Sequence, residues 1–420
     1  MKSITIALAL VLLCPGMLHA ELTPDQQQRA RECIALFSVR EFNVRQQAVE
    51  KLVRLGPDVL PLIRKTLAES DDNEVKLRCE MVIKGIRETY IVGPDDRPIA
   101  LGASRHTLDF KDVPLEKVLE ALARSSGNSS PEVRGGDPVL KKPVTLKVTD
   151  APYWQVIDEV RKAAGLVWTY DYRTRGFLLQ PGTLGDEVSV LAGPAVVKPW
   201  ALSQSISLLN GTGTNSLSIT WLCLWEDRLP VVYAQLVIGK MTAADGTVLP
   251  VPRVTARRSW WELCTGRFQT SITNPPRTRA ATAHVEGFVR LEFAVGRREA
   301  VIPNVFVEGD KSITVEGLTL AVSDVRQWDR ELRLTVKGTL KWPHPSLGTF
   351  SPDYGLFVRD ASGKLHAPER VSSNYVSGGF DQTVSFPAPR EAQAKSLVLV
   401  YPERTETRDY PFELKKVLLP

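Results

Sequence analysis

The chain of 420 residues is 43% hydrophobic and 24% charged, the balance of an ordinary folded protein. At ~100–200 residues per domain, it has material for about two to four domains. Its 53 basic and 48 acidic residues leave a net charge of +5, spread along the chain without long like-charged runs. That excludes the concentrated basic stripe of a nucleic-acid binder, so no nucleic-acid partner is expected.

The first segment, MKSITIALALVLLCPGMLHA (residues 1–20), reads as a signal peptide. It has one positive charge at Lys2, an apolar run from Ile4 to Leu13 too short to span a bilayer, and a small residue, Ala20, at the expected cleavage point. Cys14 follows the bulky Leu13, which argues against a lipoprotein signal. The mature chain is expected to be exported, to the periplasm or outside the cell, without a transmembrane segment. Cysteines in an oxidising compartment tend to pair. Cys33 with Cys79 and Cys223 with Cys264 are the preferred disulfides because each pair stays within one predicted region; buried free thiols are the alternative.

Residues 22–91 carry helical periodicity. Val44, Ala48, Leu52 and Leu55 form one stripe, ended by Gly56 and Pro57. Leu60, Ile63 and Leu67 make a second stripe. Cys79, Val82, Ile83 and Ile86 make a third, beyond the polar break ESDDNE. The stretch RQQAVEKLVRLGPDVLPLIRKTLAESDDNEVKLRCEMVIKGI resembles a HEAT-type helical repeat. Fewer than about three such repeats seldom bury a continuous core alone, so this block is expected to need a neighbour or a staple.

After a Pro/Gly-bearing connector (Val92 to Ser104), the chain states one pattern twice. TLDFKDVPLEKVLEALARSSG starts at Thr107 and TLKVTDAPYWQVIDEVRKAAG at Thr145, an offset of 38 residues. Each predicts a short strand, an aspartate (Asp112, Asp150) suited to cap a helix, and a proline (Pro114, Pro152) in the first helical turn. An apolar helix stripe then ends at glycine, Gly127 or Gly165. Two such units can bury their apolar faces together against a small sheet, completed by strands at Leu166 to Asp171 and Gly176 to Gln180. The pattern over 105–181 resembles the short N-terminal domain shared by secretins and TonB-dependent receptors. That resemblance implies a βαββαβ protein-interaction module of the bacterial envelope. No barrel strands follow, so neither the channel nor the receptor barrel is expected.

From 186 onward the pattern alternates. In LSITWLCLW, Leu217, Ile219, Trp221, Cys223 and Trp225 share one parity, as a half-buried strand requires. Turn signals recur at Asp245–Gly246 and at Asp360 and Gly363, and the two halves parallel each other. The expected fold class is multidomain α+β: an N-terminal helical repeat, the small βαββαβ domain, then two antiparallel β-sandwich domains of immunoglobulin-like size at 186–310 and 311–420. Assembled in this way, the chain loosely resembles exported multidomain proteins of planctomycete-like bacteria.

The residues offer little to catalysis. His106, His284, His344 and His366 have no second histidine at ligand spacing, so no metal is expected. The nucleophile-elbow motif is absent, and LNGTGTNS lacks the lysine of a phosphate loop. Asp71–Asp72 and Asp95–Asp96 lie in polar breaks that suit capping or solvent. The densest basic–aromatic stretch is ARRSWWELCTGRF, where Arg257, Arg258, Trp260, Trp261 and Arg267 could grip a sugar or an anion. The plainer account, a strand with one tryptophan turned inward, is preferred. No catalytic residue and no cofactor are assigned. The expectation is a non-catalytic exported protein that binds an envelope or secreted protein, or an envelope polysaccharide, with an accessory of a secretin-like or TonB-linked system as a special case. The alternative is a secreted hydrolase of polysaccharide or peptide with its site among the β strands.

Overall fold

A computed structural model describes residues 22–92, 98–171, 176–185, 188–207, 214–251, 265–276, 280–303, 311–315, 318–328, 331–340, 355–376, 379–387 and 394–419. The signal segment, Asp95, Asp96, Arg257, Arg258, Trp260, Trp261, Cys264 and His344 lie outside them. The described residues up to Ile91, with Pro98–Ala100, form one compact unit, and those from Leu101 onward form a second. Among the described residues, no helix is long and apolar enough to cross a membrane.

The first unit is helical: α1 (Pro24–Ala35), α2 (Phe42–Leu55), α3 (Leu60–Glu69) and α4 (Asn73–Thr89), closed by a ribbon of β1 (Tyr90–Val92) and β2 (Pro98–Ala100). Thr23 opens α1 with a capping box, its hydroxyl accepting from the Gln26 N–H while Gln26 reaches back to the Thr23 N–H at 3.0 Å. Asp72 caps α4, accepting from the Glu74 N–H at 2.8 Å. The stripes converge on Phe37, Leu52, Val59, Ile63 and Val82, all wholly buried. Gly85 lets α4 approach α2, because a Cβ there would stand 2.7 Å from Val53.

The expected Cys33–Cys79 disulfide is not formed; both residues are free thiols in this core. Each occupies the buried stripe of its helix, Cys33 beside Ala30 and Cys79 with Val75, Val82 and Ile86, so both pack as small apolar side chains. Burial raises both thiols' pKa and keeps the reactive thiolate scarce.

The second unit begins with the doubled pattern: β3 (Arg105–Pro114), α5 (Leu115–Ser126), β4 (Glu132–Val133), α6 (Asp137–Leu140), β5 (Pro143–Pro152), α7 (Tyr153–Ala164), β6 (Leu166–Asp171) and β7 (Gly176–Pro181). The strands form two sheets rather than one: an antiparallel pair β3–β5, and the order β4–β7–β6. In the pair, Asp109 faces Lys147, Leu108 faces Val148, Phe110 faces Leu146, His106 faces Ala151 and Val113 faces Val144. With the 38-residue offset, exchanging the two copies maps each of these pairs onto another or onto itself. The repetition therefore encodes a local two-fold axis through the Asp109–Lys147 pair. Val118, Leu119 and Leu122 of α5 share one core with Val156, Ile157 and Val160 of α7.

Both aspartates depart from the capping role expected of them. The N-cap residues are Pro114 and Pro152, while Asp112 (φ 53°) and Asp150 (φ 50°) take the left-handed conformation. Each lies where the register shifts, two residues opposing one threonine of the other copy. Thr145 Oγ1 accepts the Asp112 N–H and donates to Asp112 Oδ1, both at 3.1 Å. Thr107 Oγ1 accepts the Asp150 N–H at 3.1 Å. Aspartate tolerates this backbone better than branched residues do. Asp112→Val is therefore expected to lower stability by about 1–3 kcal/mol and Asp112→Gly by much less, read from urea unfolding curves.

The remaining strands are β8 (Val190–Ala192), β9 (Ala195–Ser207), β10 (Thr214–Trp225), β11 (Val231–Ala243), β12 (Val248–Leu249), β13 (Thr265–Thr273), β14 (Thr282–Val295) and β15 (Arg298–Pro303). They continue as β16 (Lys311–Val315), β17 (Leu318–Trp328), β18 (Glu331–Leu340), β19 (Gly355–Asp360), β20 (Leu365–His366), β21 (Arg370–Val376), β22 (Gly379–Pro387), β23 (Ala394–Tyr401) and β24 (Arg404–Leu418). The sheet orders are β13–β10–β9–β8, β12–β11–β14–β24, β15–β23–β19–β20 and β16–β17–β18–β22–β21. Pairing crosses the boundary expected at 310. β15 leaves the preceding region to pair with β23, and the C-terminal β24 returns to pair with β14 along thirteen registered positions.

Ile302, Leu334, Leu356, Phe386 and Leu399, drawn from the last two sheets, share one core. Phe357, Val398 and Val400 alternate with those residues and pack instead with Ala294 of β14. β19 and β23 are thus buried on both faces, which explains the unbroken apolar run LVLVY (397–401).

Candidate functional site

The strand β10 organises the site. Leu217, Ile219, Trp221, Cys223 and Trp225 are buried on one face, as their alternation predicts. Leu222 and Leu224, of the opposite parity, are buried too, because they belong to the core of the duplicated module. Val196 and Trp200 of β9 pack against the same core. A bulge at Trp200 divides this second face: the register passes from Thr220↔Ala201 to Trp221↔Pro199. On one side of the bulge the sheet carries the module; on the other it is open.

The covered half is fastened by a buried carboxylate. Glu226, just past β10 and 0% exposed, accepts from the Ser104 N–H at 2.9 Å, Asn128 Nδ2 at 3.2 Å and Arg228 Nε at 2.7 Å. Asn128 Oδ1 accepts the Arg228 N–H at 3.1 Å, and the Ser129 N–H donates to the Asp227 carboxylate at 3.0 Å. The C-terminus of α5 is thereby held to the turn that follows β10. Trp154 Nε1, in the first turn of α7, donates to the Pro194 carbonyl at 3.0 Å. Gly193 in the same hairpin has φ +57°, and a Cβ there would stand 2.2 Å from the Tyr410 ring. Tyr410 donates its hydroxyl to the Leu101 carbonyl at 2.8 Å, and burial pushes that phenol up.

The open half is an array of three strands by three rows. Ala201, Thr220 and Gln269 form one row; Ser203, Ser218 and Ser271 the next; Ser205, Ser216 and Thr273 the third. Eight of these nine positions carry a hydroxyl or an amide, and none carries a charge or a large apolar group. The β9 and β13 members are exposed and the β10 members half-buried. Strand geometry sets neighbours ~4.8 Å apart across the strands and ~7 Å apart along them. Ser218 and Ser271 hydroxyls lie 2.7 Å apart, and Gln269 Nε2 donates to Ser218 Oγ at 3.1 Å. By contrast, the solvent face of β3–β5 mixes Thr107, Asp109 and Lys111 with Thr145, Lys147 and Thr149.

Of the basic–aromatic patch, Arg267 alone falls among the described residues, half-buried on β13 opposite Leu222 at the edge of the covered half. Cys223 is a free, fully buried thiol whose pKa burial raises, and its proposed partner Cys264 lies outside the described residues. Three histidines have structural partners: His106 between two serines, His284 3.0 Å from Glu413, and His366 2.8 Å from Asp360. Asp360 also accepts from the Ser362 hydroxyl at 2.6 Å and from the Ser362 and Lys364 N–H groups. The His366, Ser362 and backbone donors hold its carboxyl below the usual range. That constellation is a hairpin turn, not a nucleophile triad, since the hydroxyl donates to the carboxylate rather than to the imidazole. Sequence reading passed over the hydroxyl array, although LSQSIS, NSLSIT and QTSIT show its alternation plainly.

No family model and no curated protein matches the chain. One solved structure does, the crystal structure of the conserved domain protein from Bacillus anthracis, at 8% identity over 55% of this chain and 89% of that one. Its TM-score of 0.17 is too low to carry an argument about the fold.

Proposed function

We propose that this chain is an exported, non-catalytic binding protein that holds an uncharged, polyhydroxylated envelope polymer on the open face of β9, β10 and β13. The observation that carries the reading is the uncharged three-by-three array of hydroxyl and amide side chains. A serine or threonine hydroxyl both donates and accepts, as does each hydroxyl of a sugar, so rows of them can match a glycan chain whichever way its hydroxyls point. Short side chains on a paired sheet also lose little conformational entropy when they bind. In this reading the helical segment is HEAT-like, the duplicated module belongs with the secretin and TonB-receptor short N-terminal domain, and the β regions are immunoglobulin-like sandwiches. A protein of the envelope would then be a second partner.

The test is native affinity electrophoresis of the chain lacking residues 1–20 through gels containing neutral β-glucan. Retardation is expected. Ser218→Val with Ser271→Val should weaken it about ten-fold, two lost hydrogen bonds at ~0.5–1.5 kcal/mol each, in a strand valine tolerates. Equal retention by the double variant, or none by the parent, would remove this reading.

A further inference from the structure

His106 is 4% exposed, and its hydrogen-bond partners assign the tautomer of its neutral ring. Ser125 donates its hydroxyl proton to the Leu122 carbonyl at 3.1 Å, so Ser125 Oγ accepts from His106 Nδ1–H at 3.0 Å. In the neutral ring Nε2 is then the bare nitrogen, accepting from the Ser104 hydroxyl at 3.0 Å. Ser104 is a junction. Its N–H donates to Glu226 at 2.9 Å, and its carbonyl accepts the Tyr153 N–H, the first of α7, at 2.9 Å. One imidazole therefore connects α5, the start of α7 and the buried carboxylate that fastens the module to the sheet.

The local two-fold supplies an internal control. The twin of His106 is Val144, 1% exposed, and the twins of Ser104 and Ser125 are Lys142 and Ala163. An apolar residue fills the equivalent place, so packing alone does not call for histidine; the polar trio belongs to the copy beside Glu226.

We propose that His106 is an acid-sensitive latch, whose protonation breaks its acceptor bond with Ser104 and loosens the duplicated module from the turn carrying Glu226. A proton on Nε2 turns that acceptor into a donor, and the Ser104 hydroxyl must rotate its own proton away. The ring is met edge-on by Tyr153 at 6.3 Å, and the charged groups facing it are Glu226 and Arg228. Burial holds the imidazole below its ordinary pKa; Glu226 opposes that and Arg228 adds to it. Because the folded value lies below the unfolded one of ~6.5, the stabilisation is full above that pH and declines as the pH falls towards the folded value.

Hydrogen exchange read by mass spectrometry, corrected for intrinsic rates between about pH 7.5 and about pH 5, tests the latch. Peptides covering 101–107 and 125–130 should lose protection as the pH falls. That loss should vanish in His106→Val, and also in His106→Gln should the first variant fold poorly. Protection that is flat with pH in the parent, or a loss that persists in a folded variant, overturns the proposal. So does an NMR titration placing the His106 pKa at or above the ordinary histidine range.

Discussion

Glu226→Ala is expected to lower the unfolding free energy by about 3–5 kcal/mol, measured by urea denaturation with intrinsic fluorescence. The carboxylate is wholly buried and takes three donors, including the Arg228 guanidinium at 2.7 Å. Truncation takes the Glu226 carboxylate from a nearly buried guanidinium, and removes the acceptor of the Ser104 N–H and the Asn128 amide. Glu226→Gln keeps an acceptor oxygen and the shape while losing the charge, so it should fall between parent and alanine. A surface pair provides the contrast. Arg290 grips Asp409 through two bonds of 2.7 Å, but both side chains are about 40% exposed. Asp409→Ala should cost no more than ~1 kcal/mol, because solvent and salt screen the pair. Equal losses at the two sites would mean that the Glu226 cluster is wet, and that the module is held by its apolar contacts alone.

How much of this was legible in the residues differs by feature, and the differences have physical causes. Helical stripes depend on side-chain period alone, so Leu52, Ile63 and Val82 fell into place, as did the two helices of the doubled pattern. The repetition itself was plain, but its meaning was not. A two-fold axis emerges only when the copies pair antiparallel, and the Asp112 and Asp150 bulges exist only because a threonine of the opposite copy accepts each backbone N–H. Aspartate before proline is a fair capping signal on one segment, and cross-strand register overrode it here. Cysteine spacing misled for a related reason. Cys33 and Cys79 sit in apolar stripes, where a thiol packs as well as a small hydrophobe, and an expectation of export does not by itself place two sulfurs within bonding reach. The sheet exchange through β15 and β24 joins residues about a hundred positions apart, a separation that local patterning does not encode.

The array and the covered half of β10 make the sharper lesson, and Leu222→Ala measures it. Read by alternation, Leu222 belongs to the solvent face with Ser218 and Thr220, and its truncation should matter little. Yet Trp221 to Trp225 is an unbroken apolar run, the mark of a strand covered on both faces, and Leu222 is 1% exposed within the module's core. Truncation should therefore cost about 2–5 kcal/mol, the transfer of a buried leucine plus the cavity it leaves between two elements that cannot easily close on it. Ser218→Ala, four residues earlier on the same face but beyond the bulge, should stay within about 0.5 kcal/mol. Both values come from urea unfolding followed by tryptophan emission and by far-ultraviolet circular dichroism. Coincident transitions in the Leu222 variant are expected, because the module and the strand share one core and lose it together. An early, separate transition for either part would mean that the two cores are independent, and a loss below about 0.5 kcal/mol for Leu222→Ala would return that face of β10 to solvent.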